Sequence, residues 1–173
     1  QEPEVRRSAE DEPRLRKEAE SLSQFANLGS FAEMMLVHEH SVVKVREDMP
    51  LDRAALIGCG VTTGVGAVIH TAAVEPGATV AVIGCGGVGL SCINGASIAG
   101  AGRIVAIDVI ASKLNLAKEF GATDVIDASD GDPVEQVKEM FGGGVHYAFE
   151  AIGLKKTAEQ CFEMLRAGGT ATM

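Results

Sequence analysis

The pattern of apolar and polar positions changes character near residue 49. Beyond that point, short β-branched apolar runs alternate with segments of helical periodicity, each about ten residues long. The predicted strands are 79–83, 103–108, 124–127, 145–150 and 170–173. The predicted helices are one that begins at 49–52, followed by 67–74, 90–99, 111–120, 132–141 and 154–166. Such alternation predicts right-handed βαβ units and a parallel sheet.

The residues before that point lack this alternation. Residues 1–20 are mostly charged, and we interpret them as a mobile tail, with a solvated helix in the second part as the alternative. Two strands are predicted farther on, over Gly29–Val37 and Ser41–Val45. His38 and His40 would share one face of an extended segment. We interpret them as exposed loop histidines, because the sequence places no third metal ligand near them.

A glycine motif lies at the turn that follows the strand 79–83. The turn reads Gly84-Cys-Gly86-Gly87-Val-Gly89, a Gly-x-Gly-x-x-Gly pattern, and a helix of small residues follows it. We assign Gly84 to a tight turn, Gly86 to close approach of a pyrophosphate, and Gly89 to close packing of helix on strand. The helix N-terminus would offer free N–H groups to the phosphates.

An acid completes this unit. Asp108 ends the second strand, about 20 residues beyond the motif, where a carboxylate bonds the ribose hydroxyls of a dinucleotide. Strand, glycine turn, helix, second strand and acid together predict dinucleotide binding. Two alternatives are a glycine-rich turn that binds no ligand and a methyltransferase, whose nucleoside cofactor needs no pyrophosphate cradle.

The composition and the net charge limit the kinds of molecule that this protein is expected to bind. Of the 173 residues 46% are hydrophobic, with no Trp and one Tyr, which suits an aliphatic core of parallel strands. The formal net charge of −9 argues against nucleic acid and anionic membranes as partners. No run is expected to be long and apolar enough to span a bilayer, and the charged start is not a signal peptide. Four cysteines without a Cys-x-x-Cys pair predict reduced thiols in a cytoplasmic protein: Cys59, Cys85, Cys92 and Cys161.

Three motifs, in this order, carry a family resemblance. They are LIGCGVTTGVG over residues 56–66, VIGCGGVG over 82–89 and FEAIG over 149–153. Over roughly residues 21–173 the chain resembles the zinc-dependent medium-chain alcohol dehydrogenases.

The resemblance implies a fold and a division into domains. The fold is α/β, a doubly wound parallel sheet of the Rossmann type, truncated, with a remnant of a β-rich catalytic domain. The domains are a charged tail or linker remnant (1–24), a remnant of the GroES-like catalytic domain (25–48) and the dinucleotide-binding domain (49–173). We expect a piece of a longer protein, because the sheet has about five strands where six are usual.

The resemblance also assigns roles around the cofactor. Asp108 would be the acid at the adenosine ribose, which favours NAD over NADP because a carboxylate repels a 2′-phosphate. Lys113 would lie on the ribose side, Thr63 beside the nicotinamide and Val88 behind it. For these three residues the alternatives are an ordinary exposed lysine, a helix-capping threonine and a core valine.

One loop and one cysteine complete the implied site. The backbone of Ala151, Ile152 and Gly153 would line the cofactor. Cys59 would be the third protein ligand of a catalytic Zn²⁺, whose fourth position takes the alcohol and lowers its pKa. Without the resemblance, we would interpret Cys59 as a buried core thiol. The implied reaction is NAD-dependent, zinc-assisted oxidation of an alcohol, or of a hydroxymethyl-thiol adduct, to the carbonyl by hydride transfer.

The sequence also departs from the family pattern. The family's first cysteine ligand, its Gly-His-Glu segment and the cysteines of its structural zinc site are not in this sequence, and one thiolate cannot hold a catalytic zinc. We therefore expect this chain alone to bind NAD weakly and to turn over no substrate. A non-catalytic nucleotide-binding module and a zincless relative that reduces quinones are alternatives. The identity of the alcohol and assembly into homo-oligomers stay open.

Overall fold

The first of two units contains a short antiparallel hairpin. The computed structural model describes residues 15–22, 30–35 and 37–173, and the chain divides into Gln1–Met49 and Pro50–Met173. In the first unit, strand β1 (Leu15–Lys17) pairs with β2 (Glu20–Leu22). The alternative of a helix here is wrong, because a segment this short has no apolar stripe to stabilise a helical nucleus. The rest of the predicted tail lies outside the described residues.

The two strands predicted after this hairpin are not found. Residues 30–35 and 37 are irregular, a 3₁₀ turn spans Glu39–Ser41, and residues 42–46 belong to no helix or strand. Strands need neighbours to pair with, so an apolar run alone does not make one. Gly29 and Leu36 lie outside the described residues. The β-rich content predicted for 25–48 is therefore wrong where the structure describes it, while the domain assignment stays a prediction.

The two histidines beside this turn are exposed, as predicted. The backbone N–H of His40 donates to His38 Nδ1 at 3.2 Å, and the ring centroids are 4.9 Å apart. In the part of the chain that the structure describes, no group of three or more His, Cys, Asp or Glu side chains could hold a metal ion.

One long helix precedes alternating strands and helices in the second unit. The helices are α1 (Leu51–Thr71), α2 (Gly87–Ile98), α3 (Ala111–Glu119), α4 (Pro133–Met140) and α5 (Lys155–Glu163). The strands are β3 (Thr79–Ile83), β4 (Arg103–Asp108), β5 (Asp124–Asp127), β6 (Val145–Glu150) and β7 (Leu165–Thr172). They form one parallel sheet in the order β5-β4-β3-β6-β7.

Helices cover both faces of this sheet. Along β3, Val80 and Val82 belong to one core, and Ala81 and Ile83 to the other, because side chains alternate across a strand. Helices α1, α2 and α3 supply apolar residues to the first core, and α4 and α5 supply them to the second. The predicted doubly wound parallel sheet is therefore confirmed.

Helix α1 runs through the glycine-rich stretch that the pattern leaves undefined. It begins at Leu51, as predicted, and continues to Thr71 with two π-helical turns, Ile57–Val61 and Ala67–Thr71. The reason is close packing on α2. A Cβ built on Gly64 would lie 2.5 Å from Val88 O, so only glycine lets the two helices approach this closely.

This helix also corrects an expectation about hydropathy. By length and composition alone, Leu51–Thr71 could cross a membrane, and it is the one such segment among the described residues. The expectation that no run is long and apolar enough is therefore wrong. Length and composition do not by themselves distinguish a membrane span from a helix that packs on a protein.

Strand β7 begins five residues earlier than predicted. Leu165 already pairs with Val145, and the register shifts between Val145 and Tyr147 before the pairing of Tyr147 with Thr170. Gly168 and Gly169 therefore lie inside the strand rather than closing the preceding helix. The irregularity absorbs extra residues of β7, which the apolar pattern alone does not reveal.

An arginine ties the amino end of β4 to two neighbouring elements. Arg103 Nη2 lies 2.8 Å from Asp124 Oδ1 at the start of β5, and Nε lies 3.1 Å from Asp124 Oδ2. Its Nη1 donates to Met140 O at 3.2 Å, and the guanidinium stands 4.5 Å from the Phe141 ring centroid. The guanidinium, first by its hydrogen bond, holds the pKa of Asp124 below its usual range.

Candidate functional site

A crevice opens where the order of the parallel strands reverses. The chain proceeds from β3 outward to β4 and β5, then returns to add β6 on the other side of β3. The carboxyl ends of β3 and β6 lie side by side, with Ile83 paired to Glu150. The loop after β3 carries the glycine motif, and the loop after β6 carries residues 151–153. Ligands of open α/β sheets bind at such a reversal.

Two motif glycines are required by the protein's own packing. Gly84 has φ +93°, and a Cβ built on it would lie 2.5 Å from Ile152 Cγ1 and 3.2 Å from Ala151 O. A Cβ built on Gly89 would overlap the Gly84 carbonyl oxygen and lie 2.9 Å from its carbon. The turn and the helix–strand contact therefore depend on these two glycines.

The other two motif glycines face open space. No atom among the described residues comes within 4 Å of a Cβ built on Gly86 or Gly87. Gly86 is the N-cap of α2 with φ −84°, a conformation open to other residues, so neither packing nor backbone geometry requires glycine there. Backbone N–H groups of the first turn of α2 face a surface that stays open to a phosphate group. This uncrowded helix N-terminus fits the pyrophosphate of a dinucleotide.

Asp108 points its carboxylate at this glycine turn. Its side chain is 7% exposed; Oδ2 accepts from Cys85 N at 2.8 Å, and Oδ1 accepts from Ile110 N at 3.0 Å. Lys113 Nζ lies 3.9 Å from Oδ2 and remains partly exposed. Each carboxylate oxygen keeps a further lone pair for a ligand hydroxyl. The acid and the lysine that the sequence pairs with a ribose therefore lie together at the edge of the crevice.

The remaining predicted residues on α1 and α2 lie near one another. Thr63 is exposed in the interior of α1, so it does not cap a helix, and its neighbour Gly64 packs against the backbone of Val88. Val88 is partly buried against the first core, as its packing alternative requires. Cys59 is exposed on the first π-helical turn, so the alternative of a buried core thiol is wrong. Thr62 Oγ1 caps this turn by donating to Ile57 O at 2.5 Å.

The loop after β6 is held by a carboxylate that the sequence interpretation missed. Ala151 N donates to Ile83 O at 2.9 Å, and both Ile152 N and Gly153 N donate to Glu150 Oε1 at 2.9 Å. Burial raises the pKa of Glu150, but the Thr157 hydroxyl and the loop N–H groups outweigh burial and leave the pKa below its usual range. An acid at the carboxyl end of a strand was the available signal.

A cavity of about 490 Å³ adjoins Asp108 on the side of the second core. It lies at the carboxyl ends of β4 and β5, beside the N-termini of α4 and α5. Val109, which follows Asp108 directly, lines it together with Asp132, Pro133 and Thr157. The cavity is large enough for a planar ring system, and its lining mixes apolar and polar groups.

Three of the four cysteines are buried and free. They are Cys85, Cys92 and Cys161, and burial is the main cause that raises the pKa of each thiol to about 11. For Cys85 the nearby charge of Asp108 also contributes to the raised pKa. The reduced state predicted from their contexts agrees with four free thiols in the structure.

Comparison with known proteins gives consistent matches. The family model for zinc-binding dehydrogenases matches residues 87–173. "Alcohol dehydrogenase-like 5" of Arabidopsis thaliana is 42% identical over 157 residues, which cover 89% of this chain and 40% of that protein. "Probable S-(hydroxymethyl)glutathione dehydrogenase 1" of Schizosaccharomyces pombe is 46% identical over 149 residues, 86% of this chain and 39% of that protein.

Solved structures agree with these matches. The crystal structure of benzyl alcohol dehydrogenase from Acinetobacter calcoaceticus superimposes with a TM-score of 0.72 at 40% identity. The match covers 75% of this chain and 36% of that one. The chain thus spans about 40% of the length of the curated relatives it matches.

Proposed function

Because the chain belongs to the zinc-binding dehydrogenase family, we propose that it is the cofactor-binding part of an NAD-linked alcohol dehydrogenase. The observation that carries the proposal is the buried carboxylate of Asp108, hydrogen-bonded to the glycine turn beside an open helix N-terminus. That arrangement offers a positive end to a diphosphate and an acceptor to a sugar. NAD, when bound, would supply the acceptor for a hydride removed from the alcohol.

Each part of the crevice would bind one part of the cofactor. The first turn of α2 would hold the pyrophosphate over Gly86 and Gly87, where the structure leaves room. Asp108 would accept from the adenosine ribose hydroxyls, and Lys113 would approach the same sugar. The same carboxylate would repel the 2′-phosphate of NADP, which supports the choice of NAD.

The adenine and the nicotinamide would then lie at opposite ends. We assign the base to the cavity beside Val109 and Thr157, because Val109 directly follows Asp108 in the chain. Thr63 lies on α1 and Val88 on α2, where the two helices pack together at Gly64, and Ala151, Ile152 and Gly153 follow β6. We propose that these two groups flank the nicotinamide, so that the protein covers the ring and excludes water from the hydride path.

The part of the chain that the structure describes does not complete a zinc site. Cys59 is exposed on α1 and can give one thiolate, and no cluster of three or more candidate ligands accompanies it among the described residues. A catalytic zinc takes three protein ligands. We therefore propose Cys59 as one ligand of a zinc site that other residues complete, and we derive no chemical step through the metal here.

The substrate class follows from the relatives alone. One relative is named for an S-(hydroxymethyl)glutathione dehydrogenase, and one solved structure is a benzyl alcohol dehydrogenase. We propose a small alcohol or a hydroxymethyl-thiol adduct as the substrate. The alternative of a non-catalytic nucleotide-binding module rests on the lone Cys59. A parent sequence that supplies a further cysteine and a Gly-His-Glu segment would favour the enzyme, and one that lacks them would favour the module.

Helix α1 is better explained by packing on protein than by a membrane. Its inner face contacts α2 at Gly64, and Val68 of the same helix is fully buried in the first core. A membrane span could not keep these contacts with a sheet domain. We propose a cytoplasmic protein, with the exposed remainder of α1 facing other protein surface. The four free thiols are consistent with that compartment.

Cofactor titration tests this proposal. We expect NADH fluorescence to report saturable binding to the 173-residue chain, with weaker binding of NADPH and none of S-adenosylmethionine. Asp108→Asn removes the charge that the ribose hydroxyls would meet, and loss of a charge-assisted hydrogen bond predicts about tenfold weaker NADH binding. Asp52→Asn, the same change at an exposed site on α1, is the matched control. Equal affinity of wild type and Asp108→Asn would refute the assignment of this acid.

A further inference from the structure

The carboxylate of Glu150 accepts hydrogen bonds from three donors. It stands at the carboxyl end of β6, where its Oε1 accepts from Ile152 N and Gly153 N at 2.9 Å each. Gly153 N also lies 3.2 Å from Oε2. The Thr157 hydroxyl lies 2.7 Å from Oε1 and 2.9 Å from Leu154 O. One side chain therefore fixes the loop that follows it and a residue on the first turn of α5.

The loop that Glu150 fixes forms a wall of the crevice. Ile152 Cγ1 lies 2.5 Å from the position of a Cβ built on Gly84, and Ala151 O lies 3.2 Å from it. A Cβ built on Gly89 would come within 3.6 Å of Ala151 Cβ. The loop is thus packed against the first and third glycines of the motif. If it moved, the wall next to the glycine turn would move with it.

Glu150 also reaches the other end of the crevice through its contact on α5. Thr157 lines the cavity that adjoins Asp108, and its hydroxyl bonds the same oxygen that holds the loop. A single carboxylate therefore connects the loop beside the glycine turn to the wall of the cavity. The retained charge on this half-buried group strengthens each of these hydrogen bonds.

We infer that Glu150 is a positioning residue for the dinucleotide, because it holds the loop Ala151–Gly153 and Thr157 in the arrangement that shapes both ends of the crevice. The inference rests on the proposed binding of NAD. Oε1 accepts from the loop and from Thr157, and Gly153 N is also close to Oε2, so we assign Glu150 the role of holding these groups in place for the cofactor. Its removal should weaken cofactor binding by loosening the wall.

The test is NADH affinity of Glu150→Gln in the 173-residue chain. The amide oxygen can take the place of Oε1, but an NH₂ group, which cannot accept, replaces Oε2 beside Gly153 N, and the negative charge that strengthens the hydrogen bonds to the loop and to Thr157 is lost. We expect about tenfold weaker NADH binding, the size associated with loss of hydrogen bonds to a charged group. Glu139→Gln makes the same chemical change on the exposed side of α4 and should leave the affinity unchanged.

A second readout separates positioning from general loss of structure. Amide hydrogen exchange at Ile152 and Gly153 should accelerate in Glu150→Gln, while exchange along β3 stays slow. Thr157→Val removes the hydroxyl, and Thr157→Ser keeps it. We expect Thr157→Val to weaken NADH binding and Thr157→Ser to retain it. If Glu150→Gln does not fold, the NADH affinities of Thr157→Val and Thr157→Ser test the positioning role instead.

The outcomes distinguish this inference from the proposed function. If the wild type binds NADH and Glu150→Gln binds it with equal affinity, the positioning role is overturned and the proposed binding of NAD stands. If Glu150→Gln unfolds, equal affinity in Thr157→Val has the same meaning. Failure of the wild type to bind NADH overturns the proposed function and this inference together. Weaker binding with faster exchange confined to the loop supports the inference.

Discussion

Two glycines of the motif give a paired prediction, because Gly86 leaves space for a ligand and Gly89 is required by the packing of the protein itself. Gly86→Ala places a methyl group in space where no described atom lies within 4 Å, at φ −84°. Gly89→Ala drives a methyl group into the carbonyl of Gly84. The first change should therefore affect a ligand and spare the fold, and the second should affect the fold itself.

The magnitudes follow from these surroundings. For Gly86→Ala the unfolded chain loses entropy while the N-cap weakens, so stability should change by less than about 1 kcal/mol. For Gly89→Ala the overlap is with backbone, which cannot rotate away, so we expect a loss of about 3 kcal/mol or more, or roughly 10 °C in Tm. The methyl group of Gly86→Ala would stand where the pyrophosphate lies, weakening NADH binding at least about tenfold.

Thermal unfolding and NADH titration of the two variants, side by side, measure both effects. The expected result is a stable Gly86→Ala variant with poor NADH binding, and a Gly89→Ala variant with a much lower Tm. Gly60→Ala is a matched control on α1, since a Cβ there also meets no described atom within 4 Å. Wild-type affinity in Gly86→Ala would refute the placement of the pyrophosphate, and a wild-type Tm in Gly89→Ala would refute the packing argument.

Two further predictions concern thiols and pH. Iodoacetamide should modify the exposed Cys59 rapidly in the native chain and the three buried thiols only on unfolding. Burial protects these three and is the main cause that raises the pKa of each of them to about 11. Rapid modification of more than one thiol would contradict this prediction. Arg103 lowers the pKa of Asp124 in the folded chain. The pair therefore stabilises the fold fully at pH values above the ordinary pKa of a carboxyl group, and this stabilisation is lost as the pH falls through the lowered pKa. Asp124→Asn should therefore lower Tm by a few degrees at about pH 7, with the difference narrowing below about pH 4; a difference independent of pH would contradict it.

Much of the sheet unit could be predicted from sequence, because local signals and tertiary packing agree there. The strand Arg103–Asp108 is apolar and β-branched, and the structure gives the same bounds. Asp132 and Pro133 mark a helix start, and the Asp132 side chain accepts from Val134 N at 2.9 Å. The glycine turn and Asp108 could be assigned to one site for the same reason, since both lie at the carboxyl ends of strands whose bounds the apolar pattern defines.

The errors occur where a partner, rather than the local sequence, decides the structure. Residues 41–45 are apolar enough for a strand, but in the described part of their unit no strand pairs with them. The apolar pattern leaves the glycine-rich stretch around Gly64 undefined, yet packing on α2 makes Gly64 part of a continuous helix. Glu150 stands at the carboxyl end of a strand, which marks its position, but its role depends on donors that fold back from the loop and from Thr157. Contacts across the fold carry this information, and the apolar pattern does not.

The structure of the chain with NADH tests the central claim most directly. The account predicts the pyrophosphate over the N–H groups at Gly86 and Gly87, with both adenosine ribose hydroxyls within hydrogen-bonding distance of Asp108. The adenine should occupy the cavity beside Val109. Density for the dinucleotide elsewhere, with the Asp108 carboxylate still bonded only to the backbone at Cys85 and Ile110, would contradict the account.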